Sequence, residues 1–249
     1  MKDKTIFITG GNDGIGLSTA LLFAEQGANV AIMGRRADKN ADALTLIEKT
    51  GARGLAIAGD VAQEADVARA VGEVVHTFGA LHFAFNNAGI GDAIPLAEMT
   101  VEDFDQVMNV NLRGIWLCVK YEMPHILAAG GGAVVNTGSS ASGLGLAKMS
   151  HYCASKHGLV GLTKALALEF AGANVSVNLL CPGMTDDTGI MANAKQTSPD
   201  VISALAEKVP MGHLAKPEQM AATVYFLCSD AARYITGQAI YVDGGLTVG

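Results

Sequence analysis

Charge is scarce in this 249-residue chain: Asp, Glu, Lys and Arg make up 16% of it and leave a formal net charge of −7. With no basic footprint, the sequence excludes a nucleic-acid partner. Cysteine is scarce too. Cys118, Cys153, Cys181 and Cys228 lie far apart and form no CxxC pair, so they read as reduced, mostly buried thiols of a cytoplasmic protein. The six histidines contain no HExxH or comparable spacing, and no metal site is expected. No uninterrupted apolar stretch reaches membrane-spanning length, which argues against a membrane partner, and the run Thr5–Thr9 is too short for a signal peptide. What the chain does have is apolar bulk. Half of its residues are hydrophobic and 30 are Gly, enough for a sizeable core without any stretch of disordered composition. The length fits one large domain or two small ones.

Short β-prone runs alternate with helical patterns from end to end. Strands are expected at Thr5–Thr9, Asn29–Met33, Gly54–Ala58, Leu81–Phe85, Ala133–Thr137, Val175–Leu180 and Ala239–Val242. Helical periodicity covers Leu17–Gln26, Asp38–Thr50, Glu64–Phe78, Val101–Ala129, Tyr152–Phe170 and Pro217–Ser229. Thr100 and Asp103 open the long 101–129 stretch as a capping-box-like pair. Within it, the poor helix formers Asn109, Asn111 and Gly114 predict a kink. There is no linker and no repeat. The alternation specifies an α/β fold: one doubly wound, Rossmann-type domain over residues 1–249, with a mainly parallel sheet and helices on both faces. Residues from about 184 to 213 carry no strong strand and read as a mobile substrate-loop segment.

Three features carry chemistry. Directly after the first strand, Gly10-Gly11-Asn12-Asp13-Gly14-Ile15-Gly16 leads into a helix. Strand, glycine turn and helix together aim backbone N–H groups and a helix N-terminus at phosphate, and glycine permits positive φ and close approach of a pyrophosphate. At the tip of the second strand, where an adenosine ribose would sit, Gly34 is followed by Arg35 and Arg36. A carboxylate there suits a ribose 2′-hydroxyl, whereas arginines suit a 2′-phosphate, so NADP(H) is the expected cofactor. Lastly, Tyr152 and Lys156 stand four residues apart ahead of an apolar-periodic run, a spacing that puts both on one helix face. A phenol is a poor acid or base at neutral pH, and a neighbouring ammonium lowers its pKa toward working range.

Taken in order, Thr9 to Gly16, Asn86-Asn87-Ala88-Gly89, Asn111, Ser139, Tyr152 with Lys156, and Pro182-Gly183 make the chain resemble the short-chain dehydrogenase/reductase family over essentially its whole length. The resemblance implies a seven-stranded Rossmann fold, NAD(P)-linked alcohol/carbonyl chemistry and a homotetramer. It assigns an Asn-Ser-Tyr-Lys tetrad to Asn111, Ser139, Tyr152 and Lys156. Ser139 lies 13 positions before Tyr152 as in the family pattern, which leaves Ser140 and Ser142 to shape the loop. In this assignment Tyr152 exchanges a proton with the substrate oxygen and Ser139 hydrogen-bonds that oxygen. Lys156 tunes Tyr152 and holds the nicotinamide ribose, while Asn111 keeps a water between Lys156 and solvent. The cofactor lining comprises Gly10, Asn12, Asp13, Gly14, Ile15, Gly16, Arg35, Arg36, Asp60 and Val61 at the adenine, Asn87 bracing the central sheet, Ala88, Gly89, Pro182, Gly183 and Thr185. Two departures from the pattern stand out. Asp13 occupies a position where some NADP-preferring members carry a basic residue, so NAD(H) stays open as the alternative. The family's usual threonine position falls on Asp187, leaving Thr185 or Thr188 to meet the nicotinamide amide.

The candidate substrate walls supply Ile94, Leu144, Leu146, Met149, Met184 and Met191 and contain no arginine. They suit a small to medium apolar ketone or secondary alcohol better than a phosphorylated or carboxylated one. His151 is a candidate for the pocket mouth or for a structural role. Two other readings stand beside this one: a 3-oxoacyl carrier-protein reductase, which needs a basic docking patch that a −7 balance does not favour, and a dinucleotide-sensing protein without chemistry.

Overall fold

Strands β1 Thr5–Thr9, β2 Asn29–Gly34, β3 Gly54–Ala58, β4 Phe83–Asn86, β5 Gly132–Thr137, β6 Val175–Pro182 and β7 Ala239–Val242 pair side by side, all parallel, in the order β3-β2-β1-β4-β5-β6-β7. The structure is a computed structural model that describes residues 1–186, 188 and 201–248, the side chains of Val201 and Ile202 excepted. Parallel pairing requires crossovers, and these put helices on both faces, so β1, β5 and β6 are buried throughout and read as near-continuous apolar runs.

The crossovers are α1 Gly14–Glu25, α2 Ala37–Lys49, α3 Glu64–Phe78, α4 Val101–Met108 continuing into α5 Gly114–Ala128, α6 Ser150–Phe170, α7 Val201–Ala206 and α8 Pro217–Leu227. Alternate strand residues face opposite sides. Phe7, Ala31, Val134 and Val177 pack against α3 and α5 through Val67, Val71, Leu117 and Met123. Ile6, Ile8, Val30 and Leu180 pack on the other face against α1 and α8 through Phe23, Met220 and Val224. Strand order reverses between β1 and β4, which opens a crevice beyond their carboxyl ends where such sheets take ligands.

Differences from the sequence reading have local causes. α1 starts at Gly14, earlier than Leu17, because the Asp13 carboxylate accepts from Gly14 N at 2.9 Å and caps the helix there. The expected kink is a π turn, Asn109–Arg113, in which Gly114 N reaches back to Asn109 O. β6 runs two residues further, through Cys181 and Pro182, which pair with Tyr241 and Val242. The 184–213 segment includes α7 and a bridge between Thr185 and Ala215; Asp187 and Met191 lie outside the described residues. All four thiols are free, Cys118, Cys181 and Cys228 buried and Cys153 half-buried.

A polar network crosses the middle of the sheet. Asn86 Nδ2 donates to Asn136 Oδ1 and to Glu122 Oε2, both at 3.1 Å, and Asn136 Nδ2 donates to Thr163 Oγ1 at 3.3 Å. Glu122 is fully buried, and burial pushes its carboxyl up to about 8, with the Asn86 bond opposing the shift. Its folded pKa therefore lies above the unfolded value. Between roughly pH 4.3 and that raised value the folded state keeps a proton the unfolded chain gives up, so stability is lost as pH rises through this window. Glu122→Gln is expected to flatten the decline in urea midpoint between acidic and mildly alkaline pH; parallel declines in both proteins would refute a neutral, buried Glu122.

Candidate active site

The glycine turn is shaped by close approach. Gly10 ends β1 at φ +64°, and a Cβ there would lie 3.0 Å from Asn87 Nδ2 and 3.2 Å from Ala88 Cα. A Cβ on Gly16 would run into the Gly10 carbonyl and come within 2.8 Å of Asn87 Nδ2. Asn87 Nδ2 donates to Gly10 O at 3.2 Å, and Thr9 Oγ1 accepts from Asn87 N and Ala88 N at 3.0 and 3.2 Å. These bonds tie the ends of β1 and β4 together at the crevice. The result is a bare backbone turn at the N-terminus of α1, with Asp13, Gly14 and Ile15 at its edge, which fits a pyrophosphate.

At the tip of β2 a different packing appears. Asn12 Nδ2 donates to Asn40 Oδ1 at 2.6 Å, and Asn40 Nδ2 donates to Gly34 O and Ile57 O at 2.9 and 3.0 Å. A side chain on Gly34 would meet Asn12 Nδ2 and stand 2.8 Å from Asn40 Oδ1. Arg35 and Arg36 are exposed beside this knot, and Arg36 Nη2 pairs with Asp13 Oδ2 at 3.2 Å. Beyond β3, Asp60 Oδ1 accepts from Ala62 N at 2.9 Å, while the Val61 side chain is packed in the core, leaving only its main chain toward the crevice.

The tetrad residues converge. Tyr152 falls in the first turn of α6, not at its first residue, and Lys156 follows one turn later with its Nζ 5.6 Å from the Tyr152 ring centroid. Ser139, just past β5, shares a side-chain hydrogen bond with the Tyr152 phenol. Its own loop is braced by Ser142, whose Oγ accepts from Ser139 N at 3.2 Å and donates to Lys156 O at 3.1 Å. Asn111 is carried inward by the π turn. Its Oδ1 accepts from Ile90 N at 2.9 Å, and its Nδ2 donates to Ile90 O and Ser155 Oγ at 2.8 and 3.3 Å. A Cβ on Gly89 would sit 3.4 Å from Asn111 Oδ1 and 3.7 Å from Lys156 Nζ, and one on Gly91 would be 2.7 Å from the Tyr152 ring. The Gly89–Gly91 backbone thus passes directly over all three side chains.

The electrostatics differ from the simple expectation. Burial holds the Tyr152 phenol above its ordinary value, with the Ser139 hydrogen bond opposing it. The lowering expected from Lys156 does not prevail, because the buried ammonium is turned away to donate to Thr137 O at 2.7 Å. Burial also pulls Lys156 down to about 8.

Among the expected wall residues, Leu146 and Met149 pack with Ile90 against the cluster of Tyr152, Val107 and Ala141. Ile94 N donates to Lys148 O at 2.7 Å, which joins the 90–95 and 144–149 loops. Leu144 and Met184 are half-buried. His151 is completely buried with both ring nitrogens lacking a protein partner, which places it in the interior and not at a mouth. Beyond β6, Gly183 lies close against Asp243, Thr185 is buried with its hydroxyl donating to Gly183 O at 3.2 Å, and Thr188 Oγ1 donates to Thr185 O at 3.2 Å. Sequence reasoning missed Thr9, Thr137 and Ser155 as supports. Of these, only Thr9, at a strand end next to a glycine turn, had a positional signal.

Comparison with known proteins agrees with this geometry. The family model described as enoyl-(acyl carrier protein) reductase matches residues 10–247. Cyclohexanol dehydrogenase of Acinetobacter sp. (strain SE19) is 40% identical over 247 residues, 99% of this chain and 96% of its own. A 3-oxoacyl-(acyl-carrier-protein) reductase of Staphylococcus epidermidis (strain ATCC 35984) is 36% identical, covering 98% of this chain and 99% of its own. The crystal structure of levodione reductase superposes with a TM-score of 0.95 at 32% identity, covering 100% of this chain and 99% of that one. The chain belongs to the short-chain dehydrogenase/reductase family of nicotinamide-dinucleotide oxidoreductases.

Proposed function

We propose that the protein is an NADP(H)-dependent alcohol dehydrogenase or carbonyl reductase acting on a small to medium apolar ketone or secondary alcohol. The observation that carries this reading is the convergence of Tyr152, Ser139 and Lys156 beside the glycine-lined crevice. The nicotinamide supplies or accepts the hydride. Tyr152 Oη gives a proton to the carbonyl oxygen in reduction and takes one from the hydroxyl in oxidation. Ser139 Oγ donates to the same oxygen and stabilises the charge that develops there. Lys156, largely protonated at pH 7, holds the nicotinamide ribose hydroxyls and polarises the phenol. Both ends of the Asn111 side chain are already bonded within the protein, so the water linking Lys156 to solvent rests on the main chain of the π turn. Thr185 or Thr188 serves the nicotinamide amide.

The apolar walls Ile94, Leu144, Leu146, Met149 and Met184 and the likeness to a cyclohexanol dehydrogenase support an uncharged alcohol or ketone. The carrier-protein reductase reading has the similarity to the staphylococcal enzyme in its favour. The net charge of −7 disfavours docking of an acidic carrier. Preference for NADP(H) is supported by the tip of β2: Asn12 and Asn40 fill the space a carboxylate at Gly34 would need, while Arg35 and Arg36 face outward. A homotetramer is supported by an open apolar groove formed by Met108, Leu112, Trp116 and Leu162 on the α5–α6 face. A cytoplasmic location is supported by four free thiols.

A panel of ketones and secondary alcohols assayed with NADPH and NADH tests the reading: turnover of free apolar ketones is expected. Activity confined to carrier-bound ketones would favour the carrier-protein enzyme, and tight nucleotide binding without any turnover would favour a sensor. Tyr152→Phe is expected to cut turnover by about 10²–10⁴-fold with NADPH binding intact; retained activity would rule out the acid–base role. Arg35→Ala combined with Arg36→Ala is expected to weaken NADPH far more than NADH, and equal losses would overturn the preference.

A further inference from the structure

The Arg36–Asp13 pair occupies the place where the cofactor reading puts a phosphate. Arg36 is the N-cap residue of α2 and offers it no side-chain cap, so the first N–H groups of that helix face outward beside the guanidinium. Asp13 reaches the same spot from the glycine turn. One of its oxygens caps α1 through Gly14 N at 2.9 Å, and the other takes Arg36 Nη2 at 3.2 Å. The capping bond keeps this carboxylate at the mouth of the adenosine end even when Arg36 leaves it. Asn12 and Asn40 are bonded to each other and to the backbone of β2 and β3, and neither is charged.

We propose that Asp13 is a built-in competitor for the adenosine 2′-phosphate, so that residue 13 sets how strongly the protein prefers NADP(H) over NAD(H). The inference rests on the NADP(H) reading above. The two side chains are 58% and 49% exposed, and an ion pair that open to solvent is weak. A phosphate dianion, with more charge and more acceptor oxygens, displaces a single carboxylate from a guanidinium. Displacement still has a cost. The Arg36–Asp13 contact is broken, and Asp13, held by its cap, then stands as a like charge beside the phosphate. NADP(H) bears both costs, whereas NAD(H), with only a 2′-hydroxyl, leaves the pair in place. Asp13 thus lowers the discrimination that Arg35 and Arg36 alone would give.

Asp13→Asn separates charge from capping, because asparagine still accepts from Gly14 N; Asp13→Ser is the second capping variant should the first fail to fold, as judged by thermal melting. The measurement is equilibrium binding of NADPH, NADH, adenosine 2′,5′-bisphosphate and AMP, followed by calorimetry or protein fluorescence at low and high salt. Expected is a tightening of about two- to tenfold for NADPH and the bisphosphate, none for NADH and AMP, a gain that shrinks at high salt, and its disappearance when Arg36→Ala is added. Unchanged NADPH binding, or equal tightening of both dinucleotides, would overturn the proposal. If the Arg35/Arg36 double variant weakens both dinucleotides equally, the NADP(H) reading fails and this inference falls with it. If that variant discriminates but Asp13→Asn moves nothing, only this inference fails.

Discussion

A buried ammonium constrains everything around the crevice. Lys156 is 2% exposed, and a charge taken out of water is costly unless polar groups replace the lost hydration. The Thr137 carbonyl at the end of β5 is the partner the structure provides, and one neutral acceptor compensates only in part, which is why burial pulls the amine down to about 8. The strand must end where it does, and the serine loop must fold back over α6, for that carbonyl to meet Nζ. Ser142 secures the arrangement by bonding both Ser139 N and Lys156 O. One short loop thereby fixes the spacing of three of the four tetrad residues.

The fourth depends on a helix defect. Asn111 would face away from Lys156 on a regular helix running from Val101 to Ala128. The π turn at Asn109–Arg113 brings it inward, and its hydrogen bonds to Ile90 clamp the chain leaving β4. That chain then passes Lys156 and the Tyr152 ring through Gly89 and Gly91, where side chains would crowd both. The dinucleotide end follows the same logic on the other side of the switch point: Thr9, Gly10 and Asn87 lock β1 to β4 so that the glycine turn stays open.

Most of this was legible from residues whose side chains carry the signal. Alternation of apolar runs and helical periodicity located all seven strands, because buried parallel strands leave little ambiguity in a chain half hydrophobic. Tyr152 and Lys156 were legible through spacing, and Asn109, Asn111 and Gly114 through poor helix propensity. The π geometry was not, since it is selected by tertiary bonds to Ile90 and Ser155. Main-chain partners such as Thr137 O leave no mark in a sequence. Glu122 looked like an ordinary helix carboxylate; its partner Asn86 lies 36 residues away. Nor did the sequence show which way Tyr152 is shifted, because burial and the direction in which Lys156 points both emerge only from packing.

The account turns on whether the charge of Lys156 reaches the Tyr152 phenol once the site is loaded. The most direct test is the pH profile of alcohol oxidation at saturating cofactor, compared between the native enzyme and Lys156→Met. Oxidation needs the phenolate, so its rate is expected to rise with pH in both proteins, with the inflection displaced to higher pH when the ammonium is removed. Coincident inflections would contradict the account and leave Lys156 as a ribose contact alone.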